Sequence, residues 1–286
     1  MQQYFTYDRG EGGNFYSDLA VERRRIDTDT PGIEYTQVAT SCGVWENVRV
    51  YSEEGARSIC RPCGHYDSLH TARLDLLGDD EIDEAKNEIA KKLCRMLDRA
   101  DAGCERLLIV GLGNRNLTPD SIGTKAAENV KPTLHIKAFD KEMFNALDCS
   151  EIAVITPGVT GISGMESADI VRGVCKKLGP DAIIAIDAIA TQSEERLGST
   201  VQISDTGIFP GSGVGNSRLG LTESALGIPI ISVGIPTVID ARVLSGGGMY
   251  GMGKMLVVPR EIDEITTVGA DIVGGAINQA FGISPY

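Results

Sequence analysis

Two stretches decide how this chain is read. One is residues 107–120, Leu107-Leu108-Ile109-Val110-Gly111-Leu112-Gly113-Asn114-Arg115-Asn116-Leu117-Thr118-Pro119-Asp120; the other is residues 182–188, Ala182-Ile183-Ile184-Ala185-Ile186-Asp187-Ala188. Short, continuous apolar runs rich in Ile and Val, bounded by Gly and Pro, are the mark of strands covered on both faces. Each run is followed by an aspartate. In an open α/β sheet, chemistry gathers outside the carboxyl ends of the strands. Two carboxylates brought to one such edge can share a proton and divide acid from base work.

Working outward, helix and strand signals alternate. Acids at Asp79-Asp80-Glu81 suit the positive end of a helix dipole, and Ile82, Ala85, Ile89, Leu93, Met96 and Leu97 then recur on one helical face, to an end near Ala102-Gly103. Helices are expected over 121–130, 166–178 and 261–281. Strands are expected over 44–51, 107–111, 152–155, 182–186, 201–204 and 230–233. The Leu134-His135-Ile136 run reads as strand-like. This alternation predicts an α/β fold, a mostly parallel twisted sheet with helices on both faces.

The chain has 286 residues, enough for one sizeable core, and 42% of them are hydrophobic. The longest apolar runs stop short of a membrane span, and the N-terminus lacks a secretory signal, so a cytoplasmic location is expected. Lys plus Arg is 27 against 40 for Asp plus Glu, a net charge of −13, which disfavours direct binding of nucleic acid. Seven cysteines at irregular spacing read as reduced thiols. Residues 1 to about 17, with Gly10, Gly12 and Gly13, read as a mobile arm, and Gly246-Gly247-Gly248 as a flexible stretch.

The candidate sites each have a plainer alternative. Asp120 suits a helix N-cap as well as catalysis. Asp187 follows five apolar residues, where a charge is costly unless paired. Gly111-Leu112-Gly113 is half of a dinucleotide fingerprint without its third glycine, so a tight turn is the better reading. Pro210-Gly211-Ser212-Gly213-Val214-Gly215-Asn216 can cradle an anion or let a substrate backbone approach. Neither Ser163 nor Ser212 sits in a nucleophile elbow. Cys60-Arg61-Pro62-Cys63, with His65 and His70 nearby, offers one C-x-x-C and no second pair, so it reads as a loop with free thiols, and no metal site is expected.

From Leu107 to Asp240 the chain resembles the germination proteases of spore-forming bacteria. The matching segments are LLIVGLGNRNLTPDSIG (107–123), TPGVTGISGMESADIVRG (156–173), IIAIDAIA (183–190), TVQISDTGIFPGSGVGN (200–216) and GIPIISVGIPTVIDA (227–241). Weaker likeness runs from Gly55 to Leu69 and from Val257 to Asp263. The resemblance implies a phosphorylase/hydrolase-like α/β domain, similar to hydrogenase-maturation peptidases. It implies an endopeptidase that degrades small acid-soluble spore proteins during germination, cutting after an acidic residue that a large apolar residue and Ala follow. It also implies a zymogen that removes its own N-terminal peptide, a homotetramer and a location in the spore core. No cofactor is expected.

Ser17-Asp18-Leu19-Ala20 has the substrate's form, so residues 1–18 are expected to be a propeptide cut at Asp18–Leu19, and residues 19–286 one peptidase domain. The family's proposed catalytic pair maps onto Asp120 and Asp187. Gly211, Ser212, Gly213, Gly215 and Asn216 are expected to form a substrate or oxyanion loop. Which aspartate acts as base stays open. The alternatives are a metal-dependent peptidase using the same carboxylates, a non-catalytic module that binds spore proteins, and a nucleotide-binding enzyme using the glycine loops. The chain departs from the family in a shortened, glycine-rich stretch between Asp240 and Met255, in carrying C-x-x-C where lysines are common, and in Thr124 where proline is common.

Overall fold

The computed structural model describes residues 17–23, 30–209, 220–244 and 255–282. The described residues build one nine-stranded sheet: β1 (Ile33–Ala39), β2 (Val44–Val50), β3 (Gly64–His70), β4 (Arg106–Gly111), β5 (Glu151–Ile155), β6 (Ala182–Thr191), β7 (Thr200–Ser204), β8 (Ile230–Asp240) and β9 (Leu256–Val257). The spatial order is β1-β2-β3-β7-β8-β6-β4-β5, with β9 against the end of β8.

Parallel pairing is confined to β5-β4-β6-β8. There the alternating strands and helices of the sequence produce crossover units. The rest of the sheet, β1-β2-β3-β7-β8, is antiparallel. The α/β class therefore holds, in a mixed sheet whose parallel half runs from β8 to the β5 edge. Strands β1 and β3 escape a reading by hydrophobicity. The first is an exposed edge, and the second buries the polar Asp67 and Ser68.

Helices cover both faces. The helices Asp79–Arg99, Ile122–Asn129 and Ile262–Phe281 pack on Leu107, Ile109, Ile184, Ile186, Val201 and Ile203. The helix Ser167–Leu178 packs on Leu108, Val110, Ile183 and Ala185 from the opposite side. Strict alternation along β4 and β6 supplies both cores, because successive side chains leave opposite faces of a strand. On the helix Asp79–Arg99, Ala85, Ile89, Leu93, Met96 and Leu97 are buried as their spacing predicts. His135 lies in a helix, Leu134–Phe139, where its run had read as a strand. Thr133 pins the entry to that turn through its N–H to Ile152 O at 3.0 Å, and Ile136 N–H then closes on Thr133 O at 2.9 Å. Short apolar runs do not distinguish the two states.

All seven cysteines are free thiols. No helix among the described residues is long and apolar enough to cross a membrane. The stretch 246–248 lies outside the described residues, as does most of the N-terminal arm.

Candidate active site

Asp187 does not follow its strand. It lies inside β6, which runs on to Thr191 because β8 stays beside it to Asp240 and pairs Asp187 with Gly234. The carboxyl group is 5% exposed. Its Oδ1 accepts the Ala188 N–H at 2.9 Å.

Asp120 ends a single turn, Thr118–Asp120, beyond β4. Sequence alone also allowed it to be a helix cap. In the fold, Ser121 takes the cap position of the helix Ile122–Asn129. The Asp120 carboxylate turns back instead. Asn114 N–H donates to both its Oδ2 and its backbone O, each at 2.9 Å.

Two contacts hold this turn against the sheet, and a third feature closes it on itself. Leu112 N–H donates to Ile186 O at 2.8 Å, immediately before Asp187. Gly113 has φ +95°, and a Cβ there would lie 2.1 Å from Asp120 O, so the G-L-G element is a tight turn around Asp120. The Thr237 hydroxyl donates to Pro119 O at 2.6 Å. Pro236 has no N–H for the β6–β8 ladder, and the register slips at that level, leaving Thr237 out of the pairing: Ile189 pairs with Pro236 and Ala190 with Val238.

The turn beyond β4 thus brings Asp120 near enough to Asp187, inside β6, for its charge to act there. Burial raises the Asp187 pKa well above the ordinary carboxyl range, the charge of Asp120 raises it further, and Asp18 adds to the same direction. Asp187 binds its proton more tightly folded than unfolded. Folding stability therefore falls as pH rises through and above the unfolded value of about 3.9. Asp187→Asn removes this penalty. Its melting temperature should exceed that of the unaltered protein at pH 7, by about 2–4 °C per kcal/mol released, and the gap should close toward pH 4. A gap that widens in acid would contradict the assignment.

Asp18 and Leu19 lie against this site. Ser17, Leu19 and Ala20 are fully buried. Asp18 N–H donates to Ala190 O at 2.9 Å, and its Oδ2 accepts the Ala190 N–H at 2.8 Å. Asp18 Oδ1 faces Arg61 Nη2 at 3.9 Å, and the same nitrogen donates to Ser17 O at 2.6 Å. Gln202 donates to Asp18 O at 3.2 Å and accepts the Ala20 N–H at 2.9 Å. Glu22 anchors the downstream side, accepting from Gln192 N–H at 2.8 Å and from the hydroxyls of Thr191 and Ser17.

Sequence reasoning set Arg61 aside as part of a C-x-x-C loop and passed over Gln202. Cys60, in the left-handed conformation at φ 53°, ends the helix Glu53–Ile59 and turns Arg61 inward to 8% exposure. The signal was present as an arginine inside a rigid Cys-Arg-Pro-Cys turn, yet its partner is 43 residues upstream. Gly211, Ser212, Gly213, Gly215 and Asn216 lie outside the described residues. Among the described residues, no group of three His, Cys, Asp or Glu side chains gathers in a way that would hold a metal ion.

A model of the germination protease family matches residues 18–250. The germination protease of Clostridium perfringens (strain ATCC 13124) is 32% identical over 313 residues, covering 93% of this chain and 95% of that protein. That of Caldanaerobacter subterraneus is 36% identical over 234 residues, covering 80% and 70%. That of Priestia megaterium is 44% identical over 196 residues, covering 66% and 51%. Among solved structures, the NiFe hydrogenase maturation protease HycI from Thermococcus kodakarensis KOD1 is similar at 21% identity and a TM-score of 0.37, over 64% of this chain and 98% of that one.

Proposed function

Since the chain belongs to the germination protease family, we propose that it is a self-activating endopeptidase of small acid-soluble spore proteins, with Asp120 and Asp187 as its acid–base pair. The observation that carries this reading is the junction of three things: a buried aspartate of raised pKa, a second aspartate whose charge helps to raise it, and an Asp18 held on the same strand at Ala190, near enough for its charge to act on Asp187 too. Residues 1–18 are the propeptide and residues 19–286 the peptidase domain. The homotetramer and the spore-core setting implied by the family go with the proposal.

With its pKa raised well above the ordinary carboxyl range, Asp187 is the acid. Asp120, whose carboxylate is stabilised by the Asn114 N–H, is the base. Asp120 takes a proton from water, the water oxygen attacks the peptide carbonyl carbon, and Asp187 gives its proton to the departing amine. The two acids titrate as one coupled unit.

The experiment is incubation of the purified chain with a small acid-soluble spore protein, with mass spectrometry of the cut sites. Cuts after acidic residues that survive chelation are the expected result. Activity lost on chelation and restored by one metal would replace this chemistry with a metal-dependent one. Binding without new termini would make the chain a non-catalytic module.

Recognition of the acid falls to Arg61 and the Ala190 N–H. In Arg61→Gln, the preference for Asp or Glu over Asn or Gln before the cut should fall about 10–100-fold, the worth of one charge-assisted contact. Matched peptides that differ at that one position would read it. An unchanged preference would place recognition elsewhere.

A further inference from the structure

We propose that Gln202 is the third catalytic group: its side-chain amide brackets the bond to be cut and stabilises the oxyanion formed there. This rests on the reading that Asp18–Leu19 is a cleavage site and that incoming substrates occupy the same seat.

Three observations lead to it. Gln202 lies in β7, 9% exposed, paired with Ser68 of β3 and Gly234 of β8. Its side-chain hydrogen bonds among the described residues go to the main chain of one segment, Asp18 O at 3.2 Å and Ala20 N at 2.9 Å. Those contacts fix the amide's orientation, because a backbone N–H needs the oxygen and a carbonyl needs the NH₂. A buried amide is costly without partners, and here its partners flank one residue, Leu19: the carbonyl before it and the N–H after it, with the Asp18–Leu19 bond between them.

The second observation is register. Gln202 and Asp187 both pair with Gly234, so they stand on one rung across β7, β8 and β6. Two strand spacings separate them, about 10 Å. The third is the face. Val201 and Ile203 share a core with Ile184 and Ile186, which sends Gln202 and Asp187 together out of the opposite face. Gly234 between them carries no side chain, and the Ile189 side chain packs into that space, its Cδ1 2.8 Å from where a Cβ would stand. The arrangement puts a hydrogen-bond donor on the carbonyl oxygen at one end of the rung and the acid at the other.

The step balances with groups already named. Water oxygen bonds to the Asp18 carbonyl carbon as Asp120 takes a water proton. The carbonyl π pair moves to oxygen, where the Gln202 N–H holds the negative charge. The pair then returns, the carbon–nitrogen bond breaks, and Leu19 nitrogen takes the proton of Asp187.

Gln202→Glu separates the two roles: it keeps an acceptor for the Ala20 N–H and loses the donor to the Asp18 carbonyl. In the full chain, self-cleavage should slow about 10²–10³-fold, with kcat on an Asp-Leu-Ala peptide falling alongside and KM changing little. Unchanged cleavage in Gln202→Glu, beside an inert Asp120→Asn, overturns the role of Gln202 and leaves the aspartate pair standing. Full cleavage in both Asp120→Asn and Asp187→Asn overturns the pair itself. If Gln202→Glu does not fold, the unaltered enzyme decides. A peptide N-methylated at its alanine cannot bond to the Gln202 oxygen and should be cut at least about 10-fold less efficiently; equal kcat/KM overturns the proposal.

Discussion

Asp120→Asn and Asp187→Asn should each leave the chain folded and uncut, with self-cleavage at Asp18–Leu19 and cleavage of spore protein both lowered about 10²–10⁴-fold. The two losses have different causes. Asn at 120 can still accept a backbone N–H through its amide oxygen, so the turn from Asn114 to Asp120 persists, but it cannot take a proton from water. Asn at 187 is a close match for a protonated aspartate in shape and charge, yet it has no proton to give to the leaving amine. The double variant should be little worse than either single one, because groups that act as a unit are not additive. The pH profiles should separate them. Raising the pH through the elevated Asp187 value removes the acid, so the alkaline limb of the profile should be missing in Asp187→Asn and kept in the residual activity of Asp120→Asn. Intact-mass spectrometry over time reads self-cleavage directly, and full activity in both single variants would end the acid–base account.

The second large effect is expected at Gly123. A Cβ there would lie 2.3 Å from Ile186 O and 2.5 Å from Leu112 O. Both obstacles are backbone: Ile186 O accepts the Leu112 N–H and so ties the Asp120 loop to the strand carrying Asp187, and Leu112 O is the carbonyl of the donating residue. No side-chain rotation relieves that clash. Gly123→Ala should therefore cost about 1–3 kcal/mol, lowering the melting temperature by several degrees, and should part the two carboxylates at the same time. Activity should fall by more than the loss of folded protein explains. Gly173→Ala is the control, since a Cβ at that helical position meets nothing within 4 Å. Equal behaviour of the two variants would show that close packing at Gly123 does not set the distance between the acids.

These effects bear on what could be read before folding. The apolar runs at 107–110 and 182–186 are strands because β-branched residues bounded by glycine suit a strand covered on both sides, and no distant contact is needed to say so. The helical face from Ala85 to Leu97 and the turn role of Gly113 are local in the same sense. Asp120 and Asp187 could be singled out because each is an acid beside such a run, and the likeness to germination proteases pointed to the same two residues.

Their relation was beyond the sequence. That Asp187 sits inside β6 follows from β8 lying alongside, 47 residues away at Gly234. The slip at Pro236 that aims Thr237 at Pro119 depends on which strand is the neighbour. Arg61 reaches the Asp18 segment only because an αL turn at Cys60 directs it there, and Gln202 joins Asp187 only through a shared rung with Gly234. Hydrophobic periodicity reports which face of an element is buried, so it assigns strands, helices and turns from neighbours in the chain. The order and register of the strands are set by packing the whole sheet, and the raised pKa of Asp187, like the bracket around the Asp18–Leu19 bond, exists only once that packing has expelled water.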